Sequence, residues 1–399
     1  MLTNRQLFLR HLGQTSSSPM MLEIEKAEGV FLYGPGGEKY LDLVSGVSVS
    51  NTGHRHPRVV EAIKTQTDLY LHLMVYGEII QSPQVKYAEK ITSLLPGNLD
   101  SCYFVNSGSE AVEGALKLAK RYTGRSRIIS FRESYHGSTH GALSVQGEEK
   151  FKSSFRPLLP DVFLTDFNNQ QSLDHISELT ACVIIEPVHA EAGVLLPAEN
   201  FLMGLRDKCT RTGALLIFDE SQTGFGRLGS MFATTLFGVS PDILVLAKAI
   251  GGGLPLGAFI SSTAIMSTLT FEPPLGHITT FGGHPLCCAA GMASLDVILD
   301  EKLDQQAGRK SSLFRKYLKH DSIIEIRGEG LLLAAVLGNE KSTQYAIAHA
   351  PDFGLILDYF LFCNDAFRIA PPLTISDEEI KYACGQLTKL LDETERKER

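Results

Sequence analysis

The sequence predicts an α/β fold, with a mostly parallel sheet in a large domain and a smaller α+β domain against it. Three observations predict this. Between about residues 60 and 290, short apolar runs alternate with helical patterns, as in a sheet wrapped by helices. Two of those runs, Leu215-Leu216-Ile217-Phe218-Asp219 and Ile243-Leu244-Val245-Leu246-Ala247-Lys248, end in charges of opposite sign and are followed by glycines. After about residue 290 the pattern changes to amphipathic helix and further short strands.

Taken in order, residues 1–55 carry strand-like Val30-Phe31-Leu32-Tyr33, a Gly34-Pro35-Gly36-Gly37 turn and Tyr40-Leu41-Asp42-Leu43, and are expected to pack with the small domain. Residues 56–290 form the expected large domain, with strands at Cys102 to Val105, Arg127 to Phe131, Cys182 to Ile185, Leu215 to Phe218 and Ile243 to Leu246. The interval from Asp219 to Lys248, 248 − 219 = 29 residues, leaves room for a crossover helix. Residues 291–399 form the expected small C-terminal domain, with helices at Ala293 to Leu303 and Lys310 to Leu318, strands at Ile323 to Ile326 and Leu331 to Val336, and a helix after Ser376. No repeat, low-complexity tract or Gly/Ser linker marks a boundary, so the domains are expected to interleave or pack tightly.

A chain of 399 residues favours two domains over one core. With 44% hydrophobic and 21% charged residues the composition is that of a soluble globular protein. The formal charge of −8, with no charge block before Glu393 to Arg399, gives no electrostatic reason to expect nucleic acid or an anionic membrane, and favours a small-molecule partner. The start, Met1 to Gln6, lacks a basic region followed by an apolar one, and no window approaches a membrane span, so a cytoplasmic protein is expected. Seven cysteines without CxxC spacing signal neither a disulfide framework nor a zinc ribbon, and read as buried thiols. His54 and His56 lack a third ligand at metal-binding spacing.

In α/β sheets the carboxyl ends of the strands face the ligand crevice, so Asp219 and Lys248 are expected against one bound molecule. An ionised lysine buried without a partner is costly, which favours a reactive amine of lowered pKa at 248 over one that snorkels to solvent. At Val105-Asn106-Ser107-Gly108-Ser109-Glu110-Ala111 a strand runs through small residues into a helix. Free amides there suit a phosphate, Gly108 permits close approach, and the hydroxyls of Ser107 and Ser109 can bind the anion or simply cap the helix. Neither GxxxxGK[ST] nor a GxGxxG between strand and helix is present, which removes the P-loop and the nicotinamide-nucleotide oxidoreductases.

Four segments together resemble the class III aminotransferases, the pyridoxal-phosphate family that includes acetylornithine, ornithine and 4-aminobutyrate aminotransferases: Asn106 to Ala111, Tyr135-His136-Gly137, Phe218-Asp219-Glu220-Ser221-Gln222-Thr223-Gly224, and Asp242 to Gly253. The similarity runs from about Gly29 to Ile380 and implies fold type I, with pyridoxal 5'-phosphate as cofactor and an amino donor and a 2-oxo acid, 2-oxoglutarate first, as small-molecule partners. It implies that Lys248 bonds the cofactor and then carries the proton, and that Asp219 pairs with the pyridine nitrogen, keeping it protonated as an electron sink. Ser107, Gly108 and Ser109 would hold the phosphate, Tyr135 would stack on the ring, Gln222 would bond its hydroxyl, and His136 reads equally as site residue or packed histidine. In His277 to Pro285 the resemblance implies that Thr280 reaches the phosphate of a neighbouring subunit, hence a homodimer, with Thr279 beside it toward substrate. Arg368, in Phe367-Arg368-Ile369-Ala370-Pro371-Pro372, would hold the carboxylate of 2-oxoglutarate or glutamate, and Glu191 would mask it when the other substrate binds.

The sequence departs from the family pattern at Ser138, where many members have an arginine for the distal carboxylate, and at His189, Ser221 and His284. Serine forms no bidentate pair, so a broader ω-amine donor fits as well as the three named activities. Decarboxylation or aminomutase chemistry on the same fold, or cofactor binding without turnover, are the alternatives.

Overall fold

The computed structural model describes residues 2–398. Met1, in the N-terminal stretch, and Arg399, in the terminal charge run, lie outside the described residues. A seven-stranded sheet organises the chain, in the order Ser101–Val105, Gly257–Ser261, Ile243–Leu246, Leu215–Asp219, Thr180–Ile185, Arg127–Phe131, Val162–Thr165. The last five of these pair in parallel, and Gly257–Ser261 runs antiparallel to both of its neighbours.

Consecutive residues of the central strands face opposite layers, which explains why the runs are apolar without alternation. Cys182, Ile184, Ile217, Ile243 and Val245 pack under the helix Gly108–Thr123, which buries Ala111, Val112, Ala115, Leu116, Leu118 and Ala119. Val183, Ile185, Leu216, Phe218, Leu244 and Leu246 face the other layer with Leu205 of helix Phe201–Thr212 and Leu295 of helix Pro285–Asp300. Each large aliphatic side chain buried this way stabilises the fold by about 1.5–3 kcal/mol. The sheet is therefore a rigid platform, and its carboxyl edge is fixed in position.

The N-terminal strands Lys26–Glu28, Phe31–Tyr33 and Lys39–Asp42 form a small sheet closed by Leu355–Ile356, which pairs in parallel with Leu41 and Asp42. A third sheet, Glu325–Glu329, Leu332–Val336, Ala366–Ile369 and Asp358–Tyr359, is antiparallel throughout. Fully buried Arg227 ties the regions together by donating to Leu331 O, Pro371 O, Ser45 Oγ and Asn51 Oδ1.

Several elements differ from the sequence expectation. Two strands of the main sheet were not legible: Val162–Thr165 is an edge strand whose Phe163 is exposed, and Gly257–Ser261 opens on glycine. The helix expected from Ala293 begins at Pro285, with proline in the first turn and His284 Nδ1 accepting from the Leu286 amide. Its first turns bury Cys287, Cys288, Ala289 and Ala290 in succession, which hides the helical period. It stops at Asp300, Lys302 turns left-handed at φ 52°, and Leu303 opens the next helix, Leu303–Tyr317. The strand expected at Ile323 to Ile326 is Glu325–Glu329. All seven cysteines are free thiols, Cys102 half-buried and the rest buried. His54 Nε2 lies 2.8 Å from Asp42 Oδ2. Among the described residues, no helix is long and apolar enough to cross a membrane.

Candidate active site

Strand ends meet helix starts around a cavity of about 380 Å³ at the carboxyl edge of the main sheet. Its wall includes Ser107, Gly108, Ser109, Tyr135, His136, Asp219, Gln222 and Lys248, eight of the residues expected from sequence. Each arrives for the same reason: the parallel strands all point one way, so the residue after each apolar run is delivered to one edge.

The helix Gly108–Thr123 opens onto the cavity, and its first amides have no partner within the helix. Ser107 Oγ caps it, accepting from Glu110 N at 3.3 Å. A side chain at 108 would meet the Ala247 Cβ at 3.0 Å, and one at 137 would fall 2.1 Å from Ser109 Oγ at a backbone φ of +124°. Both positions keep the cradle open to an anion only as glycine.

Asp219 is buried on the same wall, with Oδ2 2.8 Å from His136 Nδ1 and Oδ1 2.5 Å from Ser221 Oγ. Burial alone would raise its pKa, but the His136 hydrogen bond and charge, Ser221 and Lys248 hold the carboxyl below its ordinary value. Lys248 follows its strand with φ +55°, a left-handed backbone that a non-glycine residue adopts at a cost, as functional residues often do. Burial lowers its amine pKa against the pull of Asp219, Glu191 and Glu186. An anionic acid thus faces an amine biased to its neutral, nucleophilic form.

Glu186, absent from the expected set, also lines the wall. Burial and the nearby Asp219 push its carboxyl well up, while Oε2 accepts from the Tyr135 amide at 3.0 Å. The signal was present: Ile184-Ile185-Glu186 is an apolar run ending in an acid, the pattern that exposed Asp219. Ser221, seen in sequence only as a departure, turns out to be a direct Asp219 donor.

Arg368 and Glu191 lie behind Gln222. Arg368 is 1% exposed, with Nη2 2.8 and 2.9 Å from the two Glu191 oxygens, and Nη1 donates to Gln222 Oε1 at 2.9 Å. Gln222 Nε2 donates to Glu191 Oε1 at 2.7 Å, so its amide is engaged with the ion pair at both ends. Thr279 Oγ1 accepts from Asn106 Nδ2 at 3.0 Å, while Thr280 is exposed and off the cavity wall. His189 is buried one layer behind, stacked on Phe167 at 3.8 Å, and burial pulls its pKa down to about 3, so it is neutral.

Residues 12–391 match the family described as Aminotransferase class-III. The chain belongs to the class III aminotransferases. It is similar to the acetylornithine aminotransferase of Methanopyrus kandleri, 38% identical over 386 residues that cover 96% of each chain. Ornithine aminotransferase 2 of Staphylococcus aureus is 36% identical over 94% of this chain and 96% of its own. Among solved structures, ornithine aminotransferase from Toxoplasma gondii superposes with a TM-score of 0.91 at 28% identity, covering 99% of this chain and 95% of that one, and a transaminase from a marine Virgibacillus with 0.93 at 26%, covering 99% of each. This class III aminotransferase has the α/β architecture of fold type I and depends on pyridoxal 5'-phosphate. An open helix start for a phosphate, a buried anion and a lowered-pKa amine on the wall of one cavity fit that group.

Proposed function

We propose that this aminotransferase takes the amino group from the ω-end of an amine or amino acid and passes it to a 2-oxo acid, 2-oxoglutarate first, in a ping-pong cycle gated by Arg368 and Glu191. The observation that carries this reading is the buried Glu191–Arg368 pair beside the cavity, steered by Gln222. One guanidinium can accept a substrate carboxylate when Glu191 leaves, and is silent when Glu191 stays, so one pocket serves two differently charged partners.

Pyridoxal phosphate, when bound, supplies an electron sink and a carbon that accepts and returns amino groups. Lys248 Nζ would hold that group at rest and would take and return the proton at the substrate carbon bearing nitrogen, for which a lowered pKa suits it. Asp219 would hold the proton on the ring nitrogen, and His136, donating through Nδ1, fixes the carboxylate. Ser107, Gly108 and Ser109 would hold the phosphate, Tyr135 would stack on the ring, and Gln222, released when Glu191 moves, would bond the ring hydroxyl. Thr279 positions substrate through Asn106.

Thr280 serves the phosphate of a second copy in a homodimer. Support for this comes from its exposure off its own cavity and from the exposed apolar neighbours Leu275, Ile278 and Phe281. Sedimentation should find a dimer whose dilution releases cofactor.

Beside the cavity, Ser138 Oγ lies 3.2 Å from the Oη of the wall residue Tyr135, two hydroxyls where the family resemblance leads one to expect a cation. Donors without a distal carboxylate therefore fit this site. A panel of N-acetylornithine, ornithine, 4-aminobutyrate, lysine and simple diamines with 2-oxoglutarate tests the donor class, and no glutamate formed from any of them would sink the proposal. Ser138→Arg is expected to lower KM for N-acetylornithine and 4-aminobutyrate about tenfold, worth ~1.4 kcal/mol. Equal KM shifts for diamines would show that the new guanidinium reads no carboxylate.

Glu191→Gln keeps the shape but removes the charge that masks Arg368. The donor half-reaction with an ω-amine should slow about tenfold while the KM for 2-oxoglutarate falls, a split that single-turnover absorbance measures for each half-reaction separately. Glutamine is the better variant because stripping one partner of a buried ion pair altogether costs about 3–5 kcal/mol.

A further inference from the structure

Arg368 has a second acid that the gate does not use. Asp358 sits directly opposite it on the neighbouring antiparallel strand, Asp358↔Arg368, so both side chains project from the same face of the small sheet. Asp358 Oδ2 lies 4.0 Å from Arg368 Nε, and that nitrogen is buried without a hydrogen bond among the described residues. The remaining guanidinium contacts are filled: Nη1 on Gln222, Nη2 on Glu191 and Tyr359 O, and the plane over the Phe360 ring at 4.8 Å. Removing Asp358 would therefore not unseat the arginine, and what it contributes is charge. Burial and nearby Glu191 push the Asp358 carboxyl up while Arg368 pulls it down, so the two acids feel each other across one cation.

We propose that Asp358 is a specificity-determining residue, a standing counter-charge on Arg368 that loosens the Glu191 pair so that a substrate carboxylate can replace it. This rests on the Glu191–Arg368 gate proposed above. When Glu191 leaves, Arg368 is a buried cation, and a buried cation without compensation is expensive. Asp358 stays and offsets part of that cost, which raises the population of the open gate. It also repels whichever carboxylate occupies Arg368, Glu191 or substrate alike. In the exchange of one for the other the repulsion cancels, so Asp358 governs the rate of exchange more than its equilibrium position. With a neutral residue at 191 nothing cancels, and the repulsion falls on the substrate carboxylate alone.

The test uses holoenzyme and glutarate, an unreactive dicarboxylate. Asp358→Asn and Asp358→Ser, read by calorimetry and stopped-flow competition against 2-oxoglutarate, should each slow glutarate dissociation about tenfold while the dissociation constant moves less, the scale expected of two charges ~6 Å apart at an effective dielectric of ~40, between the protein and water values. Added to Glu191→Gln, either substitution should tighten glutarate about tenfold. A dissociation rate that does not slow, or no tightening on Glu191→Gln, overturns the role of Asp358. A merely structural residue would instead weaken binding in both backgrounds, which also overturns it. Arg368→Lys separates the two levels: if it binds glutarate as the parent does, the gate itself is wrong and Asp358 falls with it, whereas if it loses glutarate and the Asp358 variants change nothing, only the Asp358 proposal fails.

Discussion

Replacing Lys248 with alanine is expected to lower turnover at least ~10⁴-fold, because one nitrogen both holds the cofactor covalently and moves the proton in each half-reaction. The variant should still fold. The left-handed backbone at φ +55° is strained for alanine as for lysine, so the substitution adds little strain of its own. Arginine at 248 is expected to be as inactive as alanine, since its guanidinium stays protonated at any working pH and takes no proton. Measured kcat with an amine donor and 2-oxoglutarate, together with borohydride reduction, checks this: cofactor should no longer be fixed to the chain. Parent-like turnover of Lys248→Ala would remove the basis of the proposed mechanism.

Asp219→Asn should be the next most damaging change, with turnover reduced about 10²–10³-fold, the range seen when one preorganised electrostatic partner is removed. The carboxyl is buried and held below its ordinary pKa, so near neutral pH it presents a full negative charge to the cavity. Asparagine keeps the shape but not the charge. Asp219→Ala should be worse, because it also strands His136, whose Nδ1 gives its hydrogen bond to Asp219 and whose Nε2 has no other partner among the described residues. That additional loss costs stability of about 1–3 kcal/mol, visible as a lower thermal midpoint for alanine than for asparagine. If both variants turned over like the parent, Asp219 would be a structural acid only.

Much of the site was legible because parallel strands make position in sequence equivalent to position in space. An apolar run that ends in a polar residue delivers that residue to the carboxyl edge, so Asp219, Lys248 and the Ser107 to Ser109 turn could be read from their runs, and Glu186 obeys the same rule. Departures from the family pattern were visible in sequence, but their meaning was not. Ser221 bonds Asp219, His284 caps a helix, and His189 is a neutral ring stacked on Phe167. Each meaning depends on a neighbour remote in the chain or on a local geometry that composition does not specify. The helix from Pro285 and the antiparallel strand Gly257–Ser261 were misjudged or missed for a related reason: burial on all sides, or a glycine-led start, erases the periodicity on which such readings rely.

The sequence alone determined the α/β class, the residues at the strand ends and, through four motifs, the chemistry they resemble. Only the tertiary structure decided that Gln222 bridges Glu191 and Arg368, that Thr280 faces outward from its own cavity, and that Asp358 stands across from Arg368. Apolar periodicity and strand ends are local properties, written in consecutive residues, whereas an ion pair across 177 positions exists only once the packing of separate sheets has fixed where each side chain can reach.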